Sequence, residues 1–296
     1  MEILLAENAG FCFGVEKAVD AVYAQLADQS AGTVFTYGEI VHNEAVTKDL
    51  AAKGVKTAES AKDIRSALEE AKNGGGAENA CVVIRAHGVG AAVYDALKEQ
   101  QLRVVDATCP FVRRIHETVR KAGKAGETVI VVGDHDHPEV QGIVGWAKGP
   151  IAVVSSPEEA AALDFPPGSN LTIVSQTTFR RHKFKETVEV FSGKEYNVNI
   201  VDTICSATSV RQEEAERIAS EADVMIVVGG AHSSNTRKLY EICKGKCSAT
   251  YLVQHAGDLN TQMFEGAARV GITAGASTPK NIIQEVQTYV RTRSEL

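Results

Sequence analysis

Three cysteines, each between a predicted strand and a predicted helix, are the residues in this sequence best suited to metal chemistry. Cys12 follows the apolar stretch 3–5, Cys109 follows 104–105, and Cys205 follows 198–201. They are separated by 97 and 96 residues, so one residue type recurs in a regular frame. A buried cysteine usually acts as a small hydrophobic residue, but that role does not explain three cysteines at three equivalent turns. The pattern favours three thiolates that converge on one metal centre.

Three thiolates are compatible with two kinds of metal centre. Zinc sites that keep an open position use three protein ligands and a water molecule, which would suit a hydrolase. A cubane iron–sulfur cluster normally has four cysteine ligands. With only three, one iron would be left open to bind a substrate oxygen as a Lewis acid. Thiolates are soft ligands that suit both metals, so these residues by themselves do not distinguish zinc from iron.

Short polar side chains at the tips of the other predicted strands indicate an anion site. They are His42, His87, His137, Thr177, Thr178, Ser233, Ser234, Asn235 and Ser277. Many lie beside glycine and at the start of a helix, where free backbone N–H groups and the helix dipole attract anions. N-capping partly explains why serine occurs at positions 233 and 277, but it does not explain why histidine occurs at three strand tips. We therefore expect a pocket for a phosphate-like group.

Glu139 is the one carboxylate set among these polar residues, two positions after His137. Beside a metal in a closed cavity, such a carboxyl group could donate or shuttle a proton. A glutamate in the first turn of a helix also interacts favourably with the helix dipole. The sequence leaves both roles open.

The remaining three cysteines are predicted to take no part in the site. Cys81 lies within the apolar run 81–84 and is expected to pack as a small hydrophobic residue. Cys243 and Cys247 are spaced like metal ligands, but no second Cys or His pair is near them in the sequence. We expect these two to be surface thiols.

The same order of strands, helices and polar tips is repeated three times along the chain. The first polar tip follows its cysteine by 30, 28 and 28 residues, and the second follows by 75, 68 and 72. Such a repeat sets the architecture, and apolar runs such as 128–132 and 224–228 are typical of strands buried on both faces. The sequence predicts an α/β fold of three units related by approximate three-fold symmetry, with mainly parallel sheets around a central cavity.

The positions of the cysteines define the expected boundaries of these units. We predict a first α/β unit over 14–105, a second over 106–201 and a third over 202–290. The strand before Cys12 has no other unit to join, so residues 1–13 are predicted to complete the sheet of the third unit. The glycines at 74–76 predict a flexible surface loop.

Composition and charge exclude several other classes of protein. The 296 residues carry a net charge of −7, which argues against nucleic acid as the main partner because phosphate neutralisation needs a basic face. No apolar run approaches the length of about 20 residues needed to span a membrane. The sequence begins directly with a strand pattern and shows no secretory or organelle signal, so we expect a cytoplasmic protein with reduced cysteines.

Taken in order, the motifs around these residues resemble those of the 4-hydroxy-3-methylbut-2-enyl diphosphate reductase family, which acts last in the non-mevalonate isoprenoid pathway. The resemblance runs from residue 3 to about residue 285. Its motifs are GFCFGV at 10–15, VHN at 41–43, AHGV at 86–89, DATCP at 106–110, GDHDHPEV at 133–140, QTT at 176–178, CSAT at 205–208, SSN at 233–235 and TAGAS at 273–277.

This resemblance implies a cofactor and a set of site residues. It implies three α/β lobes around a 4Fe–4S cluster that has one open iron and is held by Cys12, Cys109 and Cys205. It implies that the substrate is bound, mainly through its diphosphate, by His42, His87, His137, Ser233, Ser234, Asn235 and Ser277. Thr177 would lie near the substrate hydroxyl and Glu139 would deliver the proton, so the expected catalytic residues are Glu139, His137 and Thr177.

The reaction implied by the resemblance is a two-electron reductive removal of hydroxide from an allylic alcohol, which gives isopentenyl and dimethylallyl diphosphates. The electrons would come from a small carrier such as ferredoxin or flavodoxin, for which the sequence shows no binding site. Two alternatives remain open at this point. One is a zinc hydrolase of a phosphorylated metabolite. The other is a non-enzymatic iron–sulfur redox sensor, which would need neither Glu139 nor the donor-rich tips.

Overall fold

The computed structural model describes residues 1–28, 32–71 and 79–293, so the glycine loop expected at 74–76 lies outside the described residues. In these ranges strands and helices alternate along the chain. The strands are β1 (Glu2–Leu5), β2 (Val34–Tyr37), β3 (Lys56–Ala58), β4 (Cys81–Ile84), β5 (Arg103–Asp106), β6 (Thr128–Val132), β7 (Ile151–Val154), β8 (Asn170–Ser175), β9 (Asn197–Ile200), β10 (Val224–Val228), β11 (Thr250–Val253) and β12 (Arg269–Ala274).

Most connections between these strands are helical. The α-helices are α1 (Phe13–Ala27), α2 (Glu44–Ala52), α3 (Ala61–Ala71), α4 (Ala91–Glu99), α5 (Pro110–Lys124), α6 (Pro138–Val144), α7 (Pro157–Ala162), α8 (Arg181–Ser192), α9 (Ser206–Glu221), α10 (Ser234–Lys244) and α11 (Lys280–Arg293). None of the helices in the described part of the chain is both long and apolar enough to cross a membrane.

The strands form three parallel sheets of four strands with one repeated topology. Their orders are β3-β2-β4-β5, β7-β6-β8-β9 and β11-β10-β12-β1. Each sheet therefore has its second, first, third and fourth strands side by side, and β1 fills the fourth place in the last sheet. The pairing of β1 runs in register from Glu2 opposite Arg269 to Leu5 opposite Ile272. These sheets confirm the predicted α/β fold with its threefold repeat of parallel sheets.

The chain divides into two compact units. The first unit consists of Met1–Glu16, Val41–Asp49 and the chain from Ser206 onwards, and it contains the sheet completed by β1. The second unit consists of Lys17–Ile40 and Leu50–Cys205, and it contains the other two sheets. The boundaries 14–105, 106–201 and 202–290 stay a prediction.

Alternation along the central strands explains how helices cover both faces of a sheet. In β10, Ile226 packs with apolar residues of α11, whereas the next residue, Val227, packs with α9 and α10. Successive side chains of a strand point to opposite faces, so an uninterrupted apolar run buries both. The exposed fraction of every β10 residue is 5% or less.

The prediction that Cys243 and Cys247 are surface thiols is wrong, because both are buried. The Cys243 thiol donates to the Ala215 carbonyl at 3.8 Å, and the Cys247 thiol donates to the Asp223 carbonyl at 3.4 Å. Burial raises the pKa of Cys243 to about 12. Lys244 and Lys246, which lie between the two cysteines, are exposed, whereas the cysteines lie on the side that packs against α9. Cys81 is fully buried, as predicted.

Ile173 and Ile200 offer a direct test of how the second unit is stabilised. They are paired on the neighbouring strands β8 and β9, yet Ile173 is fully buried and Ile200 is 46% exposed. We expect Ile173→Ala to lower the free energy of unfolding by about 3 kcal/mol, because it removes buried methyl groups and leaves a cavity. Ile200→Ala is the matched control, with an expected loss of less than about 1 kcal/mol. Urea unfolding curves measure both, and equal losses would contradict this account of the core.

Candidate functional site

The polar residues identified in the sequence lie at equivalent positions in the three sheets, in the loops that follow the first and third strands. In a parallel sheet with this strand order, a crevice forms at the carboxyl ends of the strands. It lies between the first and third strands, where the strand order reverses. The loops after the first strands carry His42, His137 and Ser233, and the loops after the third strands carry His87, Thr177 and Ser277. Each cysteine instead follows a fourth strand: Cys109 follows β5, Cys205 follows β9, and Cys12 follows β1.

A repeated backbone hydrogen bond fixes each of these cysteines. The N–H groups of Cys109, Cys205 and Cys12 donate to the carbonyls of Ala86 (3.0 Å), Thr177 (3.0 Å) and Ala276 (3.3 Å), respectively. Every acceptor lies in the loop after the third strand of the same sheet. The thiols are thereby tied to the loops that carry the polar residues.

Two aspartates that the sequence analysis missed shape the loops before Cys109 and Cys205. Asp106 accepts the Thr108 N–H at 2.9 Å, and Asp202 accepts the Ile204 N–H at 3.1 Å. Each aspartate lies three residues before a cysteine, and this spacing was a signal available in the sequence. Side chains of aspartate that bond to the backbone two residues on stabilise such turns.

The loop before Cys12 is held differently, by two residues of α9. The buried guanidinium of Arg211 donates to the Asn8 and Gly10 carbonyls, both at 2.8 Å. The Glu214 carboxylate accepts the N–H groups of Glu7 at 2.8 Å and Asn8 at 3.0 Å. About 200 residues separate these partners in the chain, so no local pattern could have revealed them.

All six cysteines lie within the described residues, and their exposure separates them into two groups. Cys12, Cys109 and Cys205 are half-buried, whereas the other three are fully buried. None of the six is in a disulfide bond. Three half-buried thiols at the ends of strands fit a metal or cluster, because a ligand thiol must be reachable and able to lose its proton.

Glu139 and Thr177 form a buried pair in the second unit. Glu139 is 1% exposed, and its two carboxylate oxygens accept from the backbone N–H of Thr177 (2.6 Å) and from the Thr177 hydroxyl (2.7 Å). If Glu139 served only to interact with the helix dipole, its carboxylate would not need to be buried. Because a hydroxyl group can both donate and accept, the pair can pass a proton to a group bound at Thr177.

Two histidines lie near this pair in the second unit. The Nδ1 atom of His137 accepts the Glu139 backbone N–H at 3.1 Å, so a neutral His137 carries its proton on Nε2. The ring of His87 meets the ring of His137 edge to face, with 5.2 Å between the centroids. Protonated ring nitrogens are suitable donors to an anion.

Gln176 fastens the loop of β6 to the loop of β8, which is a role the sequence analysis missed. Its fully buried side chain accepts the Asp134 N–H and donates to the Thr178 hydroxyl, both at 3.1 Å. These two loops carry His137 and Thr177, so Gln176 sets the spacing between them. A lone glutamine beside two threonines gave no sign of this in the sequence.

The first unit gathers a second group of polar residues at the start of α10. Ser233 caps this helix by accepting the Thr236 N–H at 3.3 Å. The Ser277 hydroxyl lies 3.3 Å from the Ser233 hydroxyl and donates to the His42 carbonyl at 3.4 Å. A Cβ atom on Gly230 would lie 2.5 Å from that carbonyl, so only glycine permits this approach.

Asn235 is the strongest sign of a ligand in the first unit. Its exposed fraction is 6%, and neither amide atom has a hydrogen-bond partner among the described residues. Leaving such a buried amide unsatisfied costs about 1–3 kcal/mol. The amide lies in the first turn of α10, beside half-buried Ser234, where the helix dipole would also favour an anion.

His116 supports the loop that carries His87. Its ring stacks on Trp146 with 5.4 Å between centroids, and the Trp146 indole N–H donates to the Val89 carbonyl at 2.8 Å. Gly88 has φ +67°, and a Cβ atom there would lie 2.6 Å from the His116 ring. The buried ring thus packs directly beneath this loop, which needs glycine at 88 for both reasons.

Each unit therefore carries a polar site assembled at the carboxyl ends of its parallel strands. The second unit joins Glu139, His137, Thr177 and His87 with the loops of Cys109 and Cys205, and the first unit joins Ser233, Ser277 and His42 with the loop of Cys12. These features define an α/β protein with half-buried cysteines at the ends of its strands and polar side chains in the neighbouring loops. Comparison with known proteins makes the assignment specific: the chain belongs to the LytB protein family, whose model matches residues 3–291.

Named relatives agree with this family over nearly the whole chain. One from Geobacter sulfurreducens is 45% identical over 97% of this chain and 95% of the relative, and one from Caldanaerobacter subterraneus is 41% identical with the same coverage. Both are named 4-hydroxy-3-methylbut-2-enyl diphosphate reductase.

Solved structures with similar folds carry closely related names. The E-1-hydroxy-2-methyl-but-2-enyl-4-diphosphate reductase from Plasmodium falciparum has a TM-score of 0.86 at 28% identity, covering 98% of this chain and 87% of its own. A second structure is described as (E)-4-hydroxy-3-methyl-but-2-enyl diphosphate reductase, the terminal enzyme of the non-mevalonate pathway. It has a TM-score of 0.67 at 37% identity, with coverage of 99% and 100%.

The buried position of His116 predicts a pH dependence of stability. Burial lowers the pKa of His116 from 6.5 to about 4. Between these values the unfolded chain takes up a proton that the folded chain excludes, so stability falls as the pH is lowered, by at most about 3 kcal/mol. Urea unfolding at about pH 7.5 and about pH 5.5 should show a smaller loss for His116→Phe than for the unaltered chain. Exposed His182→Phe is the control, and an unchanged pH dependence in His116→Phe would contradict the prediction.

Proposed function

We propose that this chain is a 4-hydroxy-3-methylbut-2-enyl diphosphate reductase, an enzyme that removes an allylic hydroxyl group by two-electron reduction and yields isopentenyl and dimethylallyl diphosphates. Membership of the LytB family and the names of the relatives support the reaction. The observation that carries it within the structure is the buried Glu139–Thr177 pair. A reductase that expels hydroxide needs a protected proton donor beside the reacting hydroxyl group, and this pair supplies one.

The LytB family is a family of iron–sulfur enzymes. We propose a 4Fe–4S cluster with three protein ligands, Cys12, Cys109 and Cys205. Their half-buried thiols and the repeated hydrogen bonds of their N–H groups support this assignment. When bound, the cluster would supply electrons one at a time, which suits a two-electron reduction carried out in single steps.

Glu139 is proposed as the proton donor, with Thr177 and His137 beside it. The Thr177 hydroxyl donates to Glu139, so its oxygen retains lone pairs that can accept a bond from the substrate hydroxyl. When Glu139 is protonated, it can donate to the departing oxygen directly, or it can donate to the Thr177 oxygen while the Thr177 hydroxyl donates its own proton to the departing oxygen. Burial of the carboxyl group to 1% exposure keeps competing water away from this exchange.

The diphosphate is proposed to bind mainly through short polar side chains: His42, His87, His137, Ser233, Ser234, Asn235 and Ser277. The first turn of α10 offers backbone N–H groups, and the unsatisfied Asn235 amide offers a further donor. In the second unit, Nδ1 of His137 accepts the Glu139 N–H, so the neutral ring carries its donor proton on Nε2. Such fixed donors bind an anion without reorganisation.

The proposed reaction needs an external source of electrons. A small carrier such as ferredoxin or flavodoxin is proposed for this role, and a cytoplasmic location stays a prediction from the sequence. No observation on the described residues favours the zinc hydrolase or the redox sensor.

Glu139→Gln tests the proposed role of the carboxyl group. We expect kcat to fall by about 100-fold to 1,000-fold, because a positioned general acid contributes rate enhancements of that size. Iron content, sulfide content and the visible absorption spectrum should remain unchanged. Glu158→Gln, at an exposed position in the first turn of α7, is the matched control and should retain activity. Full turnover by Glu139→Gln would rule out Glu139 as the proton donor.

The metal content of cysteine variants tests the cofactor. Protein purified without oxygen should contain iron and acid-labile sulfide, and a brown absorption band should bleach on reduction. Serine in place of Cys12, Cys109 or Cys205 should lower both contents, because a ligand thiolate is lost, whereas Cys247→Ser should leave them unchanged. Zinc without sulfide in protein never exposed to air would instead support the hydrolase.

A further inference from the structure

Helix α5 is unusually basic for this acidic chain. The whole sequence has 38 acidic and 31 basic residues. In α5 there are five basic side chains, Arg113, Arg114, Arg120, Lys121 and Lys124, and one acidic side chain, Glu117. Burial keeps His116 of the same helix neutral near pH 7, because its pKa is about 4. The local positive charge is therefore opposite in sign to that of the protein as a whole.

The first turns of α5 border an open groove of about 400 Å³, called here the basic groove. It is lined by Lys17, Thr108, Pro110, Arg113, Arg114 and Glu117. The Arg113 guanidinium is paired with Asp106 at 3.0 Å, whereas Arg114 makes no ion pair within the described residues. Lys17 and Arg114 are exposed, so their charges face solvent and can act on an approaching molecule.

An exposed aromatic ring lies next to this charge. Phe111 is 46% exposed at the start of α5, three residues from Arg114, so the two side chains are neighbours on the helix surface. An aromatic ring surrounded by charge is a usual anchor in a protein interface. Phe111 is also two residues from Cys109, and the helix itself begins directly after this cysteine.

Resting on the proposed function, we propose that the basic groove and Phe111 form the docking surface for the electron donor, and that this donor is a small acidic electron-carrier protein. Complementary charge steers two proteins into the correct orientation and raises their rate of association. Redox partners form small, transient interfaces, which a groove and one aromatic anchor can provide. Docking at the start of α5 brings the carrier to the loop of Cys109, and electron transfer becomes faster as the distance between redox centres shortens.

A charge-reversal pair tests the surface. Lys17→Glu/Arg114→Glu changes the groove, whereas Arg65→Glu/Lys185→Glu makes the same change at exposed positions on α3 and α8. Turnover of the anaerobically prepared enzyme is measured with reduced flavodoxin, and separately with dithionite and a saturating small viologen mediator. We expect kcat/KM for flavodoxin to fall at least about tenfold in the groove variant only, while turnover with the mediator changes less than about twofold.

Binding provides a readout that does not depend on turnover. Titration calorimetry with oxidised flavodoxin should show an affinity that weakens with added salt for the unaltered enzyme. This affinity should be lost in the groove variant, retained in the control and weakened in Phe111→Ala. Equal flavodoxin affinity in the groove variant and the unaltered enzyme would overturn the proposal, and so would an equal loss in the control.

The two assays separate failure of the docking surface from failure of the proposed function. If the unaltered enzyme lacks turnover even with the mediator, the reductase assignment fails, and the titration still shows whether the groove binds the carrier. If the groove variant also loses turnover with the mediator, the milder Lys17→Gln/Arg114→Gln pair decides the matter. Retention of flavodoxin affinity by that milder pair would then overturn the docking surface.

Discussion

The hydrogen bond from each cysteine N–H to the loop after the third strand is the constraint on which the site depends. It recurs at Cys12, Cys109 and Cys205, although the loop before Cys12 is held by residues of α9 and the other two loops are held by aspartates. Parallel pairing sets the strand ends, and this bond connects the end of the fourth strand to the crevice between the first and third. A cysteine and the polar residues of a crevice consequently stay together, whichever side chains surround them.

Burial gives the same residue types two different chemical characters. Burial raises the pKa of Cys243 to about 12, so this thiol stays protonated and packs as an apolar group. The half-buried cysteines at the strand ends remain reachable, as ligands must be. Among the buried polar side chains, the Glu139 carboxylate accepts two hydrogen bonds from Thr177, whereas the Asn235 amide lacks any partner among the described residues. The first arrangement offsets the cost of burying a carboxylate, whereas the second leaves an amide that a polar ligand would satisfy.

Positioning residues surround the groups that would carry out the chemistry. Gln176 joins two loops of one sheet, and His116 packs beneath a third loop through Trp146 and Gly88. Such support limits the motion of the loops that carry His87, His137 and Thr177. These residues fasten the loops to the core of each sheet, whose central strands are buried on both faces.

The sequence by itself determined the parallel sheets, their repetition and the residue types at the strand ends. Apolar runs bury both faces of a strand, and a fixed spacing places equivalent residues at equivalent turns, so both are local properties of the chain. The apolar run around Cys81 already predicted the burial of that cysteine, whereas only the tertiary structure decided that Cys243 and Cys247 are buried. It also decided that Arg211 and Glu214 hold the loop before Cys12, and that Glu139 meets Thr177. These contacts join residues far apart in the chain, and their strength depends on burial, which exists only once the sheets and helices have packed.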